Sequence, residues 1–122
     1  MKIELWEDPR GFSPVREFII NKLNNSQQKW IGKKIEYYQK YSFQNLLQSK
    51  SVKEIEGVKS KFGFSLFELR PVPYRFFFVF VISTETILLL NGFAKKTNRT
   101  PTKEIKMALN IAINLKKEFL LK

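Results

Sequence analysis

Tyr74-Arg-Phe-Phe-Phe-Val-Phe-Val-Ile82 and Thr86-Ile-Leu-Leu-Leu-Asn-Gly-Phe93, separated by Ser83-Thr84-Glu85, decide the fold. The first run is rich in β-branched and aromatic residues and reads as a strand, and the second returns from the turn as another. Both are apolar at nearly every position rather than at alternate ones. Strands of that kind lie at the centre of a sheet with both faces covered. Thr84-Glu85 marks a hairpin turn between them. Upstream, Phe64–Arg70 alternates, with Phe67 and Leu69 on one face and Leu66, Glu68 and Arg70 on the other. Pro71-Val-Pro73 is a tight connection that cannot be central strand, because proline donates no ladder bond. Val52–Glu56 reads as a short strand stopped by Gly57, and Val58–Lys61 as a loop before the next strand. These segments make a β-meander.

Outside the meander the period changes. Lys2–Trp6 alternates as a strand, and Asp8-Pro9-Arg10-Gly11 is a turn. Ser13-Pro14 predicts a helix start, with serine as N-cap and proline in the first turn. Val15, Phe18, Ile19 and Leu23 follow at helical spacing, and Asn24-Asn25 ends that helix. Ser26 is expected to cap a second helix whose apolar stripe is Trp30, Ile31, Ile35, Tyr38 and Tyr41. Gly32 lies inside it, at about 1 kcal/mol relative to alanine. After the meander, Lys95–Arg99 is a basic loop. Thr100-Pro101 opens a last helix with stripe Ile105, Ala108, Leu109, Ala112 and Phe119. Lys103, Lys106, Asn110, Asn114 and Lys117 lie on its wetter side. The expectation is an α+β fold: a compact antiparallel sheet packed with an N-terminal helical hairpin and a C-terminal helix, one domain over residues 1–122.

Composition narrows the chemistry. The chain of 122 residues is 43% hydrophobic, enough for a core. It has no cysteine and no histidine, so disulfides, zinc–thiolate sites and imidazole bases are excluded. With 22 Lys+Arg against 11 Asp+Glu the net charge is +11, which calls for a polyanionic partner, RNA above all. The longest apolar stretch, Phe76–Ile82, is far short of the ~20 residues of a membrane helix. Met1–Glu7 has no signal-peptide character, so a cytoplasmic location is expected.

Three basic clusters stand out. Arg70 and Arg75 flank the Pro71–Pro73 connection, and their rigid forks match phosphate oxygens. A surface arginine paired with Glu68 is the plainer reading. Lys95, Lys96 and Arg99, with Asn98 among them, follow the last strand, and the helix start after them adds unpaired N–H groups. Residues 93–122 carry eight cations and two carboxylates, net +6, more than half of the excess. Lys59 and Lys61 form a weaker pair. Phe76, Phe77, Phe78 and Phe80 read as core rather than as a base-stacking platform. No Gly-rich phosphate loop, metal-ligand spacing or nucleophile elbow is present.

The assembled motifs carry a resemblance. Ser13-Pro-Val-Arg-Glu-Phe-Ile19, Ile55-Glu-Gly-Val-Lys59, Leu66-Phe-Glu-Leu-Arg70, Tyr74-Arg75 and Leu88-Leu-Leu-Asn-Gly-Phe-Ala-Lys-Lys-Thr97, with Thr100-Pro101 and Glu104-Ile105, resemble the HigB branch of the RelE/ParE-type toxins. The resemblance implies a toxin of a type II toxin–antitoxin pair that cleaves mRNA on the ribosome without metal or other cofactor. It implies a cognate antitoxin, typically a helix-turn-helix protein. It makes Arg75 the phosphate clamp and Lys96 the stabiliser of the transition state or leaving group. Arg70 becomes a second basic group at the site, and Lys95 and Arg99 hold RNA by charge. Two lysines that RelE carries on the strand reading Leu66-Phe67-Glu68 are absent, its tyrosine corresponds to Thr102, and the histidines of some HigB proteins have no counterpart. The proton-transfer roles therefore stay open among Glu68, a lysine and the ribosome. ParE-like relatives, which act on DNA gyrase, and non-catalytic relatives that bind only nucleic acid and antitoxin are the alternatives.

Overall fold

A computed structural model describes residues 1–96 and 99–122. Among these the fold is α+β: a five-stranded sheet with five helices. In chain order the elements are β1 (Lys2–Leu5), α1 (Pro14–Lys22), α2 (Asn25–Tyr38), α3 (Phe43–Leu47), β2 (Val52–Glu54), α4 (Val58–Phe62), β3 (Phe67–Leu69), β4 (Tyr74–Val81), β5 (Thr86–Ala94) and α5 (Thr102–Leu115). The sheet order is β1-β5-β4-β3-β2. β2 to β5 form the antiparallel meander. β1 departs from the all-antiparallel expectation and lies parallel to β5, Ile3 beside Ile87 and Leu5 beside Leu89. β2 to β4 and helices α1 to α4 separate β1 from β5 in the chain, which leaves room for the crossover that a parallel pair requires.

All eight residues of β4 are buried, so its continuous apolar run is matched by cover on both faces. On one face Phe67, Leu69, Phe76, Phe78 and Leu89 pack under Val15 of α1, Ile31 and Tyr38 of α2, and Phe43 of α3. On the other, Leu66, Phe77, Val79 and Leu90 pack under Val58 of α4 and Ala108, Ala112 and Leu115 of α5. The phenylalanines of β4 are core, each contributing about 1.5–3 kcal/mol by burial. Phe77 opposes Asn91 and Phe78 opposes Leu89, so Leu90 is an extra residue, a β-bulge. The bulge turns both Leu90 and Asn91 toward α5. Gly92, two residues on from Leu90, opposes Phe76. A Cβ there would lie 2.6 Å from two ring atoms of Phe76.

Several local expectations need correction. Ser13 caps α1 as expected, accepting from the Arg16 N–H. Asn24 caps α2 in place of Ser26, and it shares a reciprocal capping box with Gln27. The second bond of that box decides between two neighbouring cap-type residues. Trp30 and Tyr41 are exposed; only the Ile31 and Tyr38 side of α2 reaches the core, because residue 30 lies 100° round the helix from residue 31. Pro101, not Thr100, is the N-cap of α5, without a side-chain bond. Phe119 lies beyond the end of α5 and is exposed, while Leu121 reaches back to pair with Val81. Residues 42–51, left without structure by the sequence, hold α3, capped by Ser42. Residues 58–62 are a short helix rather than a loop; Gly57 at φ 84° lets the chain turn sharply out of β2. Among the described residues no helix is long and apolar enough to cross a membrane.

Candidate functional site

The register of β3 and β4 builds the site. Glu68 stands opposite Phe77, and Leu69 opposite Phe76. Arg75 precedes Phe77 by two residues and so shares its face, the α5 face, with Glu68 on the neighbouring strand. Arg70 follows Glu68 by two and extends the same row. The diagonal from Glu68 to Arg75 is within reach of long side chains. Accordingly, the Glu68 carboxylate oxygen Oε1 lies 3.5 Å from Arg70 Nε and 3.5 Å from Arg75 Nε. One carboxylate thus offsets two cations that the turn sets side by side.

This triad is set deep. Glu68 is 1% exposed and Arg75 7%. Arg75 Nη1 donates to the Tyr74 carbonyl at 2.9 Å, while among the described residues its Nε has no bond of hydrogen-bond geometry, and neither has Glu68 Oε2. Burial pushes the Arg75 guanidinium below its ordinary value, with repulsion from Arg70 adding to the effect and attraction to Glu68 opposing it. The side chain of Arg70 is more open, about a third exposed at 32%.

Beside the triad runs a groove of about 760 Å³ between α1 and α5, floored by the C-terminal half of β5. Phe93 joins the two places: it opposes Arg75 in the ladder and lines the groove. Lys96 and Glu104 also line it. Asn91 lies in its floor, almost fully buried. Its Nδ2 donates to the Glu104 carbonyl at 2.9 Å and to Glu104 Oε2 at 3.0 Å. Both partners are acceptors, which assigns the amide orientation. Among the described residues Asn91 Oδ1 is left as a buried acceptor without a hydrogen-bond partner.

The structure therefore gathers Arg70, Arg75 and Glu68 into direct contact. Lys95 meets them through its backbone, donating to the Pro73 carbonyl of the same turn at 3.0 Å. Lys96 lies on the adjoining groove rather than in the triad, and Arg99 is exposed on the loop that follows. Asn98 lies outside the described residues. Lys59 and Lys61 are directed elsewhere: Lys59 Nζ donates to the Gly63 carbonyl, and Lys61 lies over the Phe62 ring. That turn meets Lys116 at the far end of α5. Asn91 was missed as a site residue. Its signal was a single amide inside the apolar run Leu88–Phe93. Among the described residues no group of three or more His, Cys, Asp or Glu could hold a metal ion.

The family model described as phage-derived protein Gp49-like (DUF891) matches residues 19–112. That span runs from α1 to the third turn of α5 and contains the whole triad and groove floor. Among curated proteins nothing matches.

Proposed function

Because the chain belongs to the Gp49-like phage-derived protein family, a RelE/HigB-like toxin family of toxin–antitoxin systems, we propose that it is a ribosome-dependent endoribonuclease that cuts mRNA without a metal. Membership implies an antitoxin partner; a helix-turn-helix antitoxin belongs to the proposal. The observation that carries the reading is the Arg70–Glu68–Arg75 triad at the β3–β4 turn, in a chain of net charge +11.

In this reading the ribose 2′-OH attacks the adjacent phosphorus in line, and the 5′ oxygen leaves. Negative charge grows on the non-bridging oxygens. Arg75 donates to them as the clamp, and Arg70 adds a second fork. Fixed, desolvated donors lower such a barrier without reorganising as charge develops. Glu68 orients the two guanidiniums. Lys96, at the edge of the groove, neutralises the leaving oxygen, and Lys95, Arg99 and Asn98 hold the RNA backbone. The ribosome supplies what the protein lacks for proton transfer.

The test maps mRNA 5′ ends after brief induction. Wild type should create new ends within coding sequence, and Arg75→Ala, with its fold verified by circular dichroism, should lose about 10²–10³-fold of that activity. Full toxicity in the folded variant sinks the site assignment. A second reading is favoured by the burial of Arg75 and its bond to Tyr74: a non-catalytic relative whose triad is structural. Growth arrest without new mRNA ends would select it, or the gyrase-directed alternative if DNA supercoiling changes.

A further inference from the structure

The outward face of α2 is an unexpected surface. Trp30, Tyr37 and Tyr41 are 39%, 47% and 36% exposed. Trp30 and Tyr37 stand two helical turns apart, about 10 Å along the axis, and Tyr41, past the end of α2 at Tyr38, extends the row through its contact with Tyr37. Lys34 lies between them, its Nζ 5.6 Å from the Trp30 ring and 5.5 Å from the Tyr37 ring. Tyr37 and Tyr41 meet edge to face at 5.1 Å, their hydroxyls joined at 2.9 Å. Lys29, Lys33 and Lys40 are exposed around the row, and Glu36 is the one carboxylate in α2. At its N-terminal end Trp30 leans on Tyr74, ring centroids 6.1 Å apart. There it walls a cleft shared with Val72 and Pro73 of the turn that carries Arg70 and Arg75.

We propose that this aromatic–lysine face binds single-stranded RNA, with bases stacked on Trp30, Tyr37 and Tyr41 and phosphates met by Lys33, Lys34 and Lys40. Charge complementarity decides the class of partner. Rings and cations are interleaved on one face at one-turn spacing, which suits a polymer that alternates π faces and phosphates. A membrane-seeking helix instead segregates its lysines from its rings, and insertion of this face would bury Lys34. The strip leads to the Pro71–Pro73 connection on the sheet face opposite the triad, so a strand bound on it must round that turn to reach the candidate site. The choice of RNA over DNA rests on the proposed function; the stacking surface itself does not.

Anisotropy of a labelled octauridylate on the full chain tests it, with inorganic polyphosphate and phosphatidylserine vesicles as competitors. Tyr37→Leu/Tyr41→Leu keeps apolar bulk and removes both π faces. Each stacked base lost should weaken binding roughly 5- to 150-fold, so the pair should bind at least about 25-fold more weakly. Tyr37→Phe/Tyr41→Phe should bind within about twofold of wild type. Because both rings are exposed, the variants should melt near wild type, and single Tyr37→Leu serves if the pair does not fold. Undiminished RNA binding by a folded Leu variant overturns the proposal, as does loss of vesicle binding in its place. Ring-dependent RNA binding by a wild-type protein that makes no mRNA ends would leave this surface standing and remove the nuclease reading.

Discussion

Removing the Glu68 carboxylate should destabilise the protein through Arg75, and the structure sets the scale. Glu68 Oε1 lies 3.5 Å from Nε of both arginines. At an effective dielectric of ~20 a unit pair at that distance attracts by about 5 kcal/mol. Desolvation of both ions offsets much of it, and Arg70, a third exposed, is screened by water. The loss in Glu68→Ala is instead the cost of leaving Arg75 buried without its counter-charge, about 3–5 kcal/mol for such sites. Among the described residues Arg75 Nε makes no hydrogen bond of good geometry, which favours the lower figure, about 3 kcal/mol. With ~2.1 cal/mol/K of unfolding entropy per residue, a chain of 122 residues loses about 4 °C in Tm per kcal/mol. Glu68→Ala should therefore melt about 12 °C below wild type by circular dichroism. Glu68→Leu combined with Arg75→Met replaces the buried pair with apolar bulk and should recover most of the loss. If Glu68→Ala melts within about 3 °C of wild type, or if the two substitutions simply add, the triad is not coupled and the reasoning fails.

Three further outcomes follow from particular contacts. Gly92→Ala sets a methyl 2.6 Å from the fully buried Phe76 ring and 3.1 Å from Phe18; urea unfolding should show a loss of about 1–3 kcal/mol from overpacking, and an unchanged midpoint would mean the ring moves freely. Asn24→Ala removes one half of the α2 capping box and should cost about 1 kcal/mol, whereas Ser26→Ala should be nearly neutral; equal losses would return the cap to Ser26. Asp8 is held below the usual carboxylate range, chiefly by the bond from the Phe12 N–H, with further bonds from Arg10. Its folded-state value is depressed, so its contribution is present above the unfolded value and lost as pH falls through the folded one. Asp8→Asn should melt below wild type at pH 7, and the gap should close as pH falls through the depressed folded-state value; a constant gap would show that charge plays no part.

The strands were legible because their signal is local. Tyr74–Ile82 is β-rich over nine residues, and it and Thr86–Phe93, apolar at nearly every position, announce cover on both faces. α3 and α4 were not legible, since five residues make little more than one turn and display no period. The α2 stripe misled for a different reason. Trp30, Tyr38 and Tyr41 are all aromatic, and hydrophobicity alone does not say which rings face the core and which stay in water. The site was half legible: the sequence singled out Arg70, Arg75, Lys95 and Lys96 as cations near strand ends. Asn91 went unread because an amide in an apolar strand has no partner until α5 brings Glu104 over it.

By itself, then, the sequence determined the α+β class, the basic excess, the absence of thiol and imidazole chemistry and the family resemblance. Each is a property of residue types and their short-range order. The tertiary structure alone decided that Glu68 bridges Arg70 and Arg75, that Lys96 borders a groove instead of joining them, that Lys59 and Lys61 lie apart, and that the aromatic row of α2 faces outward. Those follow from register, the Leu90 bulge and helix docking. A one-residue change of register moves a side chain to the opposite face of the sheet, and no local pattern of charges records which side it took.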